Sequence, residues 1–214
     1  MTPRALFAEA LGTLILVATV VGSGIMAQRL AGGNDAVALL GNTAATAGTL
    51  YVLISILGPI SGAHFNPAVS LLLAAPRDKM PFIMVQTIGA VGGTVLAHAM
   101  FAVPLIQSGK HIRSGAPIWL GEFTATFGLL LTIVLGSKFR PHAVPALVAA
   151  WIVAGYWFTS STSFANPAVT LARALTDSFS GIRMLDVPGF VVSQLLGGAA
   201  GFAIGNWLTM EQKA

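Results

Sequence analysis

The sequence predicts an all-α membrane protein in which six helices cross the bilayer and two shorter helices enter it without crossing. Hydrophobic residues make up 55% of the 214 residues, and charged residues make up only 8%. A soluble globular domain carries about 25% charged residues, and a disordered chain combines low hydrophobicity with high charge. Both of those classes are therefore excluded.

The lengths of the apolar segments predict the individual helices, because a helix needs roughly 20 apolar residues to span a bilayer. The first run follows Arg4 and continues to about Ala27 without a small-residue cleavage site, so we interpret it as a span and not as a signal peptide. Two further stretches of about ten residues are too short to span and are predicted to be re-entrant. The predicted spans are 5–27, 36–57, 81–104, 119–136, 143–158 and 187–209, and the short stretches are 66–75 and 166–175.

The chain contains an internal repeat. One short stretch reads HFNPAVSLLLA and the other FANPAVTLARA, and Glu9 in AEALGT has a counterpart, Glu122, in GEFTAT. Each half holds three spans, which is an odd number, so the second half must enter the membrane from the opposite side, as in many transporters and channels. We therefore predict a single domain, 1–214, made of inverted repeats at about 1–108 and 117–214.

Glycine pairs at four-residue spacing recur at matched positions of the two halves. They are Gly89 with Gly93 and Gly197 with Gly201. Because small residues let helix backbones approach closely in lipid, we predict that each pair packs against a neighbouring helix.

The two short stretches each begin with the tripeptide Asn-Pro-Ala. Asparagine caps a first helical turn, and proline is well suited to the first helical position. In an inverted repeat, two such half-helices meet near the midplane with their N-termini facing each other. Their positive ends repel cations, and the asparagine amides can donate hydrogen bonds to a passing oxygen. The residues of this predicted pore centre are Asn66, Pro67, Ala68, Asn166, Pro167 and Ala168.

These motifs resemble those of the major intrinsic protein family, the aquaporins and aquaglyceroporins. The resemblance covers essentially the whole chain and includes the segment GAHFNPAV, to which the pore-loop residue His64 belongs. It implies the aquaporin fold, a homotetramer with one pore per protomer, and a multi-pass protein of the bacterial inner membrane with both termini cytoplasmic. It also implies that Glu9 and Glu122 brace the pore loops; the alternative for buried membrane carboxylates is a proton relay.

The selectivity filter of the family can be placed by counting from the two motifs. The four positions are Thr46, Ala154, Ser163 and Val169. Water-selective members typically carry an aromatic residue, a histidine, a small residue and an arginine there. Since the aromatic residue, the histidine and the arginine are missing at these positions, we predict a wide, arginine-free filter that admits solutes larger than water.

One arginine lies close to this filter. Arg173 follows Val169 by one helical turn, and helical side chains point back toward the N-terminus, so its guanidinium can reach toward the constriction. One hypothesis is that Arg173 forms a cationic vestibule. The alternative is that it pairs with Asp177, one further turn along.

The second motif and its continuation, TLARALTDSFSGI, resemble an uncommon bacterial branch that is encoded with arsenic-resistance genes. This resemblance implies passage of arsenite and methylated arsenicals besides water and glycerol-sized solutes. The alternatives are a water- or glycerol-selective channel and a non-conducting structural protein. No enzyme, cofactor, metal or nucleic-acid partner is expected, because the chain has no cysteine, no plausible nucleophile–base pair, and basic residues only at segment ends.

Overall fold

A computed structural model of the protein describes residues 2–210, and these residues form eight α-helices and no strand. The predicted domain 1–214 also includes Met1 and residues 211–214, which lie outside the described residues. Short 3₁₀ turns precede α6 and α8. The helices are α1 (Pro3–Leu30), α2 (Asp35–Ser61), α3 (Pro67–Leu73), α4 (Pro76–Met100), α5 (Ala116–Phe139), α6 (Val144–Phe158), α7 (Pro167–Arg173) and α8 (Val187–Thr209).

Six of the helices are long and apolar enough to cross a membrane. They are α1, α2, α4, α5, α6 together with the turn before it, and α8 together with the turn before it. The predicted all-α membrane class is thereby confirmed.

Close helix packing in each half depends on the paired glycines. A Cβ atom on Gly89 or Gly93 of α4 would overlap the backbone carbonyl oxygens of α1, and one on Gly197 or Gly201 of α8 would overlap those of α5. These helix pairs therefore approach until a glycine of one contacts the backbone of the other. The packing role predicted for both glycine pairs is confirmed.

The two half-helices begin where the Asn-Pro motifs predict. Asn66 Oδ1 accepts a hydrogen bond from the Ala68 amide at 2.9 Å, and Asn166 Oδ1 accepts one from the Ala168 amide at 3.0 Å. Each half-helix is seven residues long and not ten. The first one ends early because Pro76 starts the next helix, and residues just before a proline avoid the helical conformation.

The half-helices meet with their N-termini facing each other. Asn66 Nδ2 donates to the Ala165 carbonyl at 2.7 Å, and Asn166 Nδ2 donates to the Phe65 carbonyl at 2.7 Å. The loops that lead to this point place Phe65 and Ala165 at positive φ, at 48° and 49°. Such strained backbone persists only where the surroundings hold it in place.

Candidate functional site

A cavity of about 230 Å³ lies where the two half-helices meet. Its wall is mostly apolar and is formed by residues of α1, α2, α5 and α6, of both half-helices and of the loops that precede them. Polar groups are few on this wall, and no aspartate or glutamate of residues 2–210 lines it. This arrangement suits the passage of a neutral molecule, which needs some hydrogen-bonding partners but no opposite charge.

Asn66 and Asn166 both line this cavity. Each side-chain nitrogen carries two N–H donors, and only one of them is used in the contact with the opposite loop. Each asparagine therefore retains a donor for a solute oxygen. The remaining residues of the two motifs, Pro67, Ala68, Pro167 and Ala168, do not line the cavity.

Glu9 of α1 is buried behind the first loop. Its Oε1 accepts hydrogen bonds from the His64 amide at 2.9 Å and the Ser61 hydroxyl at 2.7 Å. Its Oε2 accepts from the Phe65 amide at 2.7 Å and from Gln86 Nε2 at 2.8 Å. These four donors offset the cost of burying the carboxylate, and they tie α1, α4 and the first pore loop together.

Glu122 of α5 occupies the matching place in the second half. Its Oε1 accepts from the Phe164 amide at 2.8 Å, and its Oε2 accepts from the Ala165 amide at 2.9 Å and from Gln194 of α8. Neither Glu9 nor Glu122 lines the cavity. This placement favours loop bracing over a proton relay, since a relay would have to reach the solute path.

His64 lies in the first pore loop and lines the cavity. Its Nδ1 is 3.2 Å from the Ser70 hydroxyl of α3, and its ring packs edge-on against Phe82 at 5.6 Å between centroids. The imidazole thus joins the loop to the helix that follows it.

Three of the four predicted filter residues, Thr46, Ser163 and Val169, line the cavity, but Ala154 does not. Ala154 is exposed on the outer surface of α6, and Tyr156 and Ile152 face the cavity in its place. A helix turns by about 100° per residue, so a shift of two positions moves a side chain to nearly the opposite face. Counting back from Asn166 gives the wrong face of α6, and the prediction for Ala154 is wrong.

Tyr156 also changes the predicted character of the constriction, in which we expected no aromatic side chain. Its hydroxyl donates to Thr46 Oγ1 at 3.4 Å, and only 4% of the residue is exposed. Tyr156 is one of two tyrosines in the chain, and the other, Tyr51, is 51% exposed. A tyrosine within an apolar span was the available sequence signal, because a buried phenol needs a polar partner, but Tyr51 and Tyr156 share that signal and only the structure separates them.

Arg173 lines the same cavity and is 2% exposed. Its guanidinium carbon lies 3.3 Å from the centroid of the Phe164 ring, and its Nε donates to the Ser180 carbonyl. Asp177 instead binds Lys110 Nζ at 2.6 Å. The alternative in which Arg173 pairs with Asp177 is therefore wrong. Phe164, which was not among the predicted site residues, lines the cavity beside Arg173.

Comparisons with known proteins agree with this architecture. Residues 1–154 match the family described as major intrinsic protein. The chain is 53% identical over 210 residues to the aquaglyceroporin AqpS of Rhizobium meliloti, covering 96% of this chain and 90% of that protein. It is also 30% identical over 238 residues to a probable aquaporin, AqpM of Archaeoglobus fulgidus, covering 95% and 96% of the two chains.

Among solved structures, the fold is similar to the X-ray structure of the aquaglyceroporin from Plasmodium falciparum. The TM-score is 0.69 at 19% identity, and the match covers 95% of this chain and 94% of that one. At this identity the likeness establishes the fold. Taken with the family match and with the inward-facing Asn-Pro half-helices, it leads to one conclusion: this multi-pass membrane protein belongs to the major intrinsic protein family, whose members are channels.

Proposed function

We propose that the protein is a passive channel that conducts water and uncharged solutes up to about the size of glycerol through a pore in each protomer. The observation that carries the proposal is the mostly apolar cavity at the meeting point of the two half-helices, where the polar groups include Asn66 and Asn166. A solute oxygen can exchange its water contacts there for the free asparagine donors. Among residues 2–210, no carboxylate lines the rest of the wall, so it offers a cation nothing comparable to its hydration shell.

Exclusion of cations follows from the same geometry. The N-termini of α3 and α7 both point at the pore centre, and each carries a partial positive charge. Stripping an ion of water in an apolar passage costs far more than stripping a neutral molecule. The channel therefore excludes cations whatever the width of its constriction, and that width decides only which neutral solutes pass.

The filter that we propose consists of Thr46, Ser163 and Val169, with Tyr156 in the position first assigned to Ala154. Val169 stands where the family resemblance places an arginine in water-selective members, so one wall carries a short apolar side chain. Arginine would bring five N–H donors and a long side chain to that wall. Valine leaves space for a molecule wider than water. This supports a wide filter with no arginine at any of its four positions.

Undissociated arsenite is a neutral trihydroxy molecule and is close to glycerol in size. We propose that it and methylated arsenicals are among the solutes, in keeping with the resemblance to the arsenic-linked branch. The 53% identical relative is named an aquaglyceroporin, which supports passage of solutes larger than water. A water- or glycerol-selective channel is the second candidate, and it is favoured by Tyr156, whose ring narrows the cavity. A non-conducting structural role is less well supported, because the cavity is lined for solute contact.

We further propose a homotetramer in the bacterial inner membrane, with both termini cytoplasmic. Of the six spans, α2 and α6 have the smallest share of residues buried within the protein, and both carry exposed apolar side chains such as Ile56 and Trp157. Such faces can contact lipid or a second copy of the chain.

The test is a stopped-flow comparison of water, glycerol and arsenite permeability in proteoliposomes, with the native chain and Val169→Arg. We expect the native chain to pass all three and the arginine to exclude the two larger solutes while sparing water. A native chain that passes water alone would contradict the wide filter. Equal permeabilities in the two proteins would show that position 169 does not form the constriction.

A further inference from the structure

We propose that Arg173 supplies, from the turn after Val169, the cationic hydrogen-bond donor that the filter itself lacks. Arg173 would then be the residue that selects hydroxyl-rich neutral solutes and rejects cations at the mouth of the pore where α7 ends. The inference rests on the proposed channel function and deepens it, since it assigns specificity to a residue outside the four filter positions.

The first step is the position of the side chain. Arg173 and Val169 are four residues apart on one face of α7, and both line the cavity. Side chains on a helix lean toward its N-terminus, which here is the pore centre. The guanidinium of Arg173 is therefore carried back toward the level of Val169, whereas an arginine at Val169 itself would reach deeper.

The second step is the rigidity of the guanidinium. It stacks on Phe164 at 3.3 Å, and Nε donates to the Ser180 carbonyl. Phe164 also packs against Phe190 in an edge-to-face arrangement, with 4.9 Å between the ring centroids. A planar cation fixed on an aromatic face keeps one orientation, so its remaining N–H groups point in set directions.

A second arginine completes this support. Arg113, from the loop between α4 and α5, has its guanidinium carbon 5.3 Å from the centroid of the Phe164 ring. Its Nε donates to the Gly181 carbonyl at 2.9 Å and its Nη2 to the Phe179 carbonyl at 3.3 Å. Arg173 binds the carbonyl of Ser180, which lies between Phe179 and Gly181 in the chain. The two guanidinium groups therefore bind three consecutive backbone carbonyls. Arg113 is thus a positioning residue for Arg173.

The third step is the presence of unused donors. Arg173 Nη1 and Ser163 Oγ are both buried, and neither has a hydrogen-bond partner within residues 2–210. Leaving a buried donor unpaired is costly, more so when it is charged. Neither atom is open to a water-sized molecule in this structure, but both belong to residues that line the cavity. A rotation of either side chain toward the cavity would therefore give a passing solute oxygen a donor that the protein leaves unused.

The fourth step is the charge balance at this mouth. The carboxylate of Asp177 binds Lys110 at 2.6 Å, and that of Asp186 binds Arg183 at 2.8 Å. No carboxylate of residues 2–210 forms an ion pair with Arg173, whose guanidinium contacts the Ser180 carbonyl and the Phe164 ring instead. The uncompensated cation repels cations and hydronium and attracts oxygens rich in electron density.

The experiment compares the native chain with Arg173→Ala, Arg173→Gln and Arg173→Lys in proteoliposomes. Water and glycerol permeability are measured by stopped flow, and cation leak is measured with a proton-sensitive dye and with Na⁺ flux. We expect Ala and Gln to lower the ratio of glycerol to water permeability about tenfold, which is the loss of one charged hydrogen bond. We expect them to raise the cation leak by about the same factor, because the repelling charge is gone. Lys keeps the charge, so its leak stays low while its glycerol ratio falls.

Arg29→Ala is the matched control. Arg29 also lies over an aromatic ring, that of Phe101 at 5.1 Å, and also donates to a backbone carbonyl, at 3.3 Å. It is on the same side of the molecule, because its neighbour Gln28 accepts a hydrogen bond from the Phe179 amide, but it does not line the pore cavity. Its substitution should leave leak and solute ratio unchanged.

If Arg173→Ala and Arg173→Gln both match the native chain in leak and in solute ratio, the inference is overturned. Glutamine can still donate to the Ser180 carbonyl, so it decides the question if the alanine variant does not fold. A change of the same size in Arg29→Ala would also overturn the inference, because it would show that a positive side chain outside the pore cavity affects leak and solute ratio as strongly as Arg173 does. A native chain that excludes glycerol would refute the proposed function, and the leak comparison would still judge Arg173.

Discussion

Replacing Glu9 by glutamine should destabilise the protein more than the small chemical change suggests. Each carboxylate oxygen of Glu9 accepts one backbone N–H: Oε1 from His64 and Oε2 from Phe65. A glutamine has one acceptor oxygen, so in either orientation its NH₂ group faces one of these two amides. The other partners can adapt, because the Ser61 hydroxyl can rotate and the unpaired Oε1 of Gln86 can turn toward the new amide.

The expected magnitude follows from that count. One buried backbone donor left unpaired costs about 1–3 kcal/mol, and the other amide exchanges a charged acceptor for a neutral one at a cost of about 1 kcal/mol. We therefore expect Glu9→Gln to lower the free energy of unfolding by about 2–4 kcal/mol. Glu122→Gln should cost a similar amount, since its two oxygens divide the amides of Phe164 and Ala165 in the same way.

The assay is reversible unfolding by SDS titration in mixed micelles, followed by near-UV circular dichroism. Asp35→Asn is the control, because Asp35 is an exposed carboxylate in the first turn of α2 and should change stability by less than about 1 kcal/mol. A Glu9→Gln protein as stable as Asp35→Asn would refute the reasoning. It would mean that the loop finds other acceptors and does not depend on the carboxylate.

Two further predictions test the face of α6 and the glycine contacts. Because the chain has no cysteine, Tyr156→Cys and Ala154→Cys can be compared with a small thiol reagent: modification at 156 should block most water permeability, and modification at 154 should leave it unchanged. The opposite pattern would restore the filter first counted from the sequence. Gly197→Ala should lower unfolding stability by about 1–3 kcal/mol or more, since its Cβ would overlap the Phe123 carbonyl. Gly48→Ala, with no atom within 4 Å of the new Cβ, should raise it by roughly 0.5–1 kcal/mol, and equal effects of the two changes would contradict the close packing of α5 and α8.

Much of the fold could be predicted because its determinants are local or repeated. An apolar run of sufficient length is a span in whatever neighbourhood it lies, and Asn-Pro starts a helix through its own side chain and ring. The match of Glu9 with Glu122 indicated equivalent places in two halves, and both carboxylates do contact pore-loop amides. The length of the half-helices was overestimated, since hydropathy alone does not mark where Pro76 ends the first one.

The pore wall was predictable only in part. Thr46, Ser163 and Val169 lie in the cavity as the count from the motifs requires. The prediction for Ala154 was wrong because the count back from Asn166 crosses the loop 159–165. An error of two residues in the length of that loop selects a side chain on nearly the opposite face of α6. Tyr156 was missed for the same reason.

The sequence by itself determined the membrane class, the number of spans, the inverted halves and the residues that cap the two half-helices. Each of these follows from residue chemistry that acts within a turn of helix or along the length of one segment. Only the tertiary structure decided which face of α6 reaches the pore and whether Arg173 pairs with Asp177 or stacks on Phe164. The physical reason is that these outcomes depend on how loops at residues 159–165 and 174–183 fold back against helices distant in the chain, and a short-range pattern contains no information about that packing.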